Sequence, residues 1–91
     1  MSLQNSLRAL AEPTRREILN LLKEKSMSAG EISDCFPISF AAVSRHLAVL
    51  READLIRDER KGKRIYYTIN VSVLEEIMLW ITELKGDNKN V

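Results

Sequence analysis

The sequence predicts a mainly α-helical domain that carries one β-hairpin ahead of a last helix. Three observations predict it. Apolar residues recur at helical spacing along both ends and the middle of the chain. The stretch from Ser28 to Ala53 reads as a short helix, a tight turn and a longer helix, the spacing of a helix-turn-helix. Two strand-like runs, Leu55 to Glu59 and Arg64 to Ile69, flank a glycine turn crowded with positive charge. The predicted order is α-α-α-α-β-β-α, a winged helix-turn-helix in one domain spanning residues 1–91.

Each element has its own local reason. Leu3, Leu7 and Leu10 recur at helical spacing and define a short first helix. Pro13 suits the first turn of a second helix, with Glu12 just ahead of it. Ile18, Leu19, Leu21 and Leu22 give that helix its apolar face. Ser28-Ala29-Gly30-Glu31 is a capping box that opens a third helix, and Pro37 ends it near Phe36. Ser39 caps a fourth helix running to about Ala53. Gly62 sits where the hairpin turn needs positive φ. Asn70 or Ser72 caps the last helix, Ser72 and Glu75 forming a second capping box. Leu74, Ile77, Ile81 and Leu84 make a stripe on it, flanked by Val73, Met78 and Trp80. Lys85-Gly86 ends it, and Asp87 to Val91 reads as a frayed tail.

Ninety-one residues make one domain, not two. A chain this short buries only about 60–65% of its unfolded surface, so a shared dimer core would help it. The apolar fraction is 45% and the charged fraction 30%, an ordinary globular composition. No apolar run approaches the roughly 20 residues of a membrane span. The start, Met1-Ser2-Leu3-Gln4-Asn5, lacks the pattern of a signal peptide. The single cysteine, Cys35, cannot close an internal disulfide. A reducing, cytoplasmic setting is expected.

The net charge is +1, and its distribution says more. Residues 1–25 carry five Lys/Arg against three Glu. Residues 51–70 carry six Lys/Arg against four acids, and residues 71–91 carry two Lys against four acids. Positive charge therefore gathers at the start and in the hairpin. Imbalances this small also occur on plain solvated surface.

Three segments, in this order and spacing, carry a resemblance. They are Glu12-Pro13-Thr14-Arg15-Arg16-Glu17-Ile18-Leu19, then Val43-Ser44-Arg45-His46-Leu47 with Leu50-Arg51, then Arg64-Ile65-Tyr66-Tyr67. Across nearly its whole length the chain resembles the ArsR-type winged-helix repressors of bacteria. It is most similar to the small autorepressor branch that lacks metal ligands. The resemblance implies a homodimer that binds double-stranded DNA and blocks a promoter.

The residues support a nucleic-acid surface on their own terms. On a wheel through the fourth helix, Val43, Leu47 and Leu50 share the core face. Arg45 lies opposite, free to reach a guanine edge in a major groove, where a bidentate contact is worth ~1–3 kcal/mol of discrimination. Ala41 and Ala42 are small enough to let the helix sit deep. Ser39, Ser44 and His46 suit phosphates, and Arg51 follows on the same helix. Thr14 and Arg16 open the second helix, whose N-terminus is a natural phosphate anchor; surface charge alone explains Arg16 equally well. At the hairpin tip, Arg60, Lys61, Lys63 and Arg64 can reach the backbone or the minor groove. Tyr66 and Tyr67 alternate, one toward the core and one outward. Phe40, where the family often has a polar base-reading residue, falls near Leu47 on the wheel and is expected in the core.

The first and last helices are expected to form the dimer core. Leu3 and Leu7 would meet Leu74, Ile77, Met78, Trp80, Ile81 and Leu84, with Trp80 as an anchor. No metal or cofactor is expected. The family's metal sensors carry a Cys-x-Cys pair where this chain has Ser28 and Gly30, and the last helix has Glu75, Glu76 and Glu83 but no histidine. Cys35 is expected as a small buried hydrophobe. No nucleophile-and-base constellation or phosphate-cradling glycine loop is present, so an enzyme is not expected. Two alternatives stay open. One is a winged-helix protein-interaction module, which Phe40 and the near-neutral charge favour. The other is a sensor responding to thiol chemistry at Cys35 or to a metal. Control through a regulatory partner protein, or through protein level, is the expected mode without metal ligands.

Overall fold

A computed structural model describes residues 2–86. The start at Met1 and the tail expected over residues 87–91 lie outside the described residues. Five helices and three strands follow in the order α1 (Leu3–Leu10), α2 (Pro13–Glu24), β1 (Met27–Ser28), α3 (Ala29–Ser33), α4 (Phe40–Glu52), β2 (Ile56–Lys61), β3 (Arg64–Ile69) and α5 (Val71–Lys85). The sheet is antiparallel with strand order β1-β3-β2. Strand β1, two residues long, is an addition to the expected hairpin. It pairs Met27 with Tyr67 and Ser28 with Tyr66, on the edge of β3 away from β2.

The helix starts follow local chemistry. Glu12 caps α2 by accepting the backbone N–H groups of Thr14 and Arg15. Ser28 and Glu31 form the reciprocal capping box of α3, at 3.2 and 2.9 Å. Ser39 Oγ accepts the Ala42 N–H at 3.0 Å and opens α4. Helix α3 stops at Ser33, three residues earlier than expected. The chain from Cys35 to Phe36 then turns through short-range hydrogen bonds to Ile32 and Ser33. For α5 the cap is Asn70, whose side-chain oxygen accepts the Ser72 N–H at 3.3 Å. The Ser72–Glu75 capping box does not form, because Ser72 is already inside the helix.

Helix α4 ends in a Schellman motif. The Leu55 N–H bonds the Leu50 carbonyl and the Asp54 N–H bonds the Arg51 carbonyl, both at 3.0 Å. This requires a left-handed residue, and Asp54 supplies it with φ 60°. Leu50 and Leu55, the apolar pair that accompanies the motif, are both fully buried. The motif turns the chain straight from α4 into the wing. Asn70 fixes the other end of the wing: its Nδ2 donates to the Asp54 carbonyl at 2.9 Å and its backbone N–H to the Leu55 carbonyl at 2.9 Å.

The core lies between α2, α3, α4 and the base of the wing. Ile18, Leu22, Ile32, Val43, Leu47, Leu50, Leu55 and Ile56 form it, and Ala9, Met27, Val73 and Ile77 close it from α1, β1 and α5. Tyr67 packs against this cluster, while Tyr66 carries Lys61 Nζ over its ring at 5.8 Å. The expected alternation of the two tyrosines follows from the pleat.

Candidate nucleic-acid interface

Burial of Val43, Leu47 and Leu50 fixes the rotation of α4 about its axis. The opposite surface is then necessarily exposed. Ala41, Ser44 and Arg45 are exposed, and Ala42 and His46 are half-buried on its flanks. Ala48, also exposed, continues the row one turn on; it is absent from the sequence-based set, although its spacing from Ser44 and Arg45 would have placed it there. Ser39 uses its oxygen as an acceptor for the cap, which leaves the hydroxyl hydrogen available to an anion.

The wing presents its cations around Gly62, which has φ +66°. Lys61 pairs with Arg64 and Arg60 with Ile65 across the hairpin. Arg60, Lys61, Lys63 and Arg64 are all exposed. Arg60 Nε also donates to the Gly62 carbonyl at 3.4 Å, and Lys61 leans on Tyr66. Both contacts hold the side chains near the tip.

Two of the expected cationic contacts have partners inside the protein. Arg16 donates to the Leu10 carbonyl at 2.8 Å. Its neighbour Arg15 donates to the Ala9 and Arg8 carbonyls at 2.9 and 3.4 Å. The pair thus satisfies the C-terminal carbonyls of α1, and Thr14 sits half-buried between the cap and these arginines. Arg51 pairs with Asp58 at 3.4 Å and ties α4 to β2. Both partners are well exposed, so the pair stabilises little.

The Glu12 carboxyl lies close to this surface. Desolvation pushes its pKa up, but hydrogen bonds from the Arg15 and Thr14 backbone, with the charges of His46 and Arg15, outweigh it. The net effect holds the carboxyl below its ordinary value. Glu31 is likewise held low, first by the Ser28 backbone hydrogen bond, against a smaller desolvation effect and with the help of the Ser28 hydroxyl.

Two residues expected in the core lie outside it. Phe40 is not core: it is 56% exposed. It is the first residue of α4, and Cβ bonds tilt toward a helix N-terminus, so its ring leans off the end instead of onto Val43 and Leu47. Cys35 is not buried but exposed. Because α3 ends at Ser33, Cys35 falls in a surface turn, where its thiol approaches the Glu31 carbonyl at 3.5 Å. Among the described residues no three His, Cys, Asp or Glu side chains gather as a metal site would require.

The residues expected at a dimer seam fall into two groups. Ile77 is 7% exposed and belongs to the protomer's own core, with Leu74 packed half-buried against it. Leu3, Leu7, Met78, Trp80, Ile81 and Leu84 are exposed, and so are Val71 and Leu79, which the stripe did not include. Trp80, Ile81 and Leu84 continue the face of Val73 and Ile77. They are bare because α5 runs past the end of the domain.

Comparison with known proteins gives this surface a context. The family model described as "Bacterial regulatory protein, arsR family" matches residues 12–58, from the cap of α2 into β2. The transcriptional repressor SdpR of Bacillus subtilis is 44% identical over 88 residues, covering 94% of this chain and 98% of SdpR. The transcriptional activator HlyU of Vibrio cholerae is 34% identical over 64 residues, covering 70% of this chain and 59% of HlyU. Among solved structures, an ArsR-like transcriptional regulator from Rhodococcus sp. RHA1 superimposes with TM-score 0.90. It has 26% identity and covers 93% of this chain and 78% of that one.

Proposed function

The chain belongs to the arsR family of bacterial regulatory proteins, and from that premise we propose that it is a homodimeric, DNA-binding transcriptional repressor. The family is a class of transcription regulators, not enzymes. The observation that carries the reading is the juxtaposition in one small fold of a rotation-locked helix exposing Ala41, Ser44 and Arg45 and a wing tip exposing four cations. Repression, as against activation, rests on the likeness to SdpR over nearly the full length of both chains.

In this reading α4 enters a major groove with Arg45 on a guanine edge. Ser39, Ser44 and His46 bind flanking phosphates, and Arg60, Lys61, Lys63 and Arg64 hold the backbone beside the site. Thr14 and Arg16 sit at the edge of the footprint, with Arg16 giving one donor to α1. Two protomers joined through α1 and α5 would set two copies of α4 about 34 Å apart, one turn of duplex. Work in the cytoplasm and control by a partner protein are part of the same proposal. No described helix is long and apolar enough to cross a membrane.

The test is binding-site selection from random duplexes, followed by affinity at several salt concentrations. A palindromic site with a steep salt slope is expected. Binding that ignores salt and sequence would overturn the reading and favour the protein-interaction module.

A further inference from the structure

Phe40 is the largest apolar side chain on the surface near the start of α4. Its ring is 56% exposed, and Ile38, two residues earlier, is also exposed. Between them Ser39 makes the cap. The fold gives no reason for an aromatic residue here. Phe40 belongs to neither the core nor the set of side chains packed against it, and Ala, Leu, Arg, Met, Lys, Gln and Glu are all better helix formers. Singly exposed apolar residues are ordinary on a protein surface; what sets Phe40 apart is its place at the start of α4.

The position says what it meets. The first residues of a recognition helix are those that approach base edges. A phenyl ring has no donor or acceptor to offer. The apolar feature a major groove presents is the C5-methyl group of thymine. Ala41, the next residue, is small and exposed, so it does not hold the ring away. We infer that Phe40 is a specificity-determining residue that reads a thymine methyl in each half-site, at the N-terminal end of α4. This rests on the DNA-binding reading above.

The experiment replaces thymine by deoxyuridine, one position at a time, in a duplex obtained by selection with the wild-type protein. The substitution removes only the methyl group. One symmetric pair of positions should respond, with affinity falling about fourfold per half-site and about fifteenfold when both are replaced, as for one buried methyl. Phe40→Ala should bind the thymine duplex more weakly and be indifferent to deoxyuridine there. Its circular dichroism should match wild type, since the ring supports no core contact. Phe40→Leu should keep the methyl sensitivity. A wild-type protein indifferent to deoxyuridine at every position overturns the inference. So does a Phe40→Ala variant with unchanged affinity, which would assign the ring to a protein contact. A failure to enrich any duplex at all is a different result: it removes the DNA-binding reading itself.

Discussion

Arg45 is the one long cationic side chain on α4 before its last turn. Its outward placement was legible in the sequence because three buried residues, Val43, Leu47 and Leu50, fix which way the helix faces. Arg45→Ala should weaken specific binding by ~1–3 kcal/mol, about 5- to 150-fold, with no change in melting temperature; equal operator affinity would remove the major-groove contact. Phe40 and Cys35 were misread for a shared reason. Wheel position and hydrophobicity predict burial only where another element covers the face, and both lie at helix ends that nothing covers. Glu12 carries a testable pH dependence. Its carboxyl is held below its ordinary value. A depressed carboxyl contributes stability above that ordinary value and loses it as pH falls through the lowered one. Glu12→Ala should therefore melt lower than wild type at pH 7, with the gap closing in acid as the carboxyl protonates. A gap that stays constant as the pH falls from neutral through and below the carboxylate range would assign the cost to something other than the ionised cap.

The wing is the element whose turn the sequence states most openly, because Gly62, flanked by Arg60-Lys61 and Lys63-Arg64, sits where a tight hairpin needs positive φ. Lys63→Ala with Arg64→Ala should weaken binding to all sequences alike and flatten the salt slope by up to ~2. An unchanged slope would mean that the hairpin does not touch the backbone. What holds the wing in place was far less legible. Strand β1 is two residues long, too short to carry any periodicity, and it exists only because β3 offers a free edge beside Met27 and Ser28. Asn70 reads as one of two possible caps, yet it also bonds the Asp54 and Leu55 carbonyls across the base of the hairpin. Those partners are about 16 residues away, beyond any local rule. Asn70→Ala should cost ~1–2 kcal/mol from the lost cap and cross-link. Thermal melting reads this as a drop of roughly 5–15 °C. A variant that melts with wild type would show that the hydrogen bonds merely decorate a wing held by Leu55 and Ile56.

At the scale of the molecule, the protomer looks incomplete. Its radius of gyration is 15.0 Å, against ~12 Å for a compact domain of this length. The excess comes with α5, whose last two turns carry Met78 at 66% and Leu84 at 67% exposure. The sequence showed the α5 stripe but not where the protomer's core ends along it, because core and seam share one face. Ile77 lies on the core side of that boundary, so a charge there would unfold the protomer and say nothing about assembly. Covering Met78, Trp80, Ile81 and Leu84 in two protomers removes eight half-exposed apolar side chains from water. At about 1.5–3 kcal/mol for each full burial, that is roughly 6–12 kcal/mol. Association costs about 4–15 kcal/mol, so this face alone sits near balance. A dimer built on this face would then draw its surplus from Leu3 and Leu7 on α1, which are exposed in the protomer. Leu84→Asp, exposed in the protomer, should leave the fold intact by circular dichroism and convert the dimer to monomer in sedimentation. Leu7→Asp should do the same from the other helix. Operator binding should disappear with each, since a single half-site binds weakly, while weak salt-dependent binding to any duplex should persist. A wild-type chain that sediments as a monomer at micromolar concentration would sink the two-fold model, as would a Leu84→Asp variant that stays dimeric.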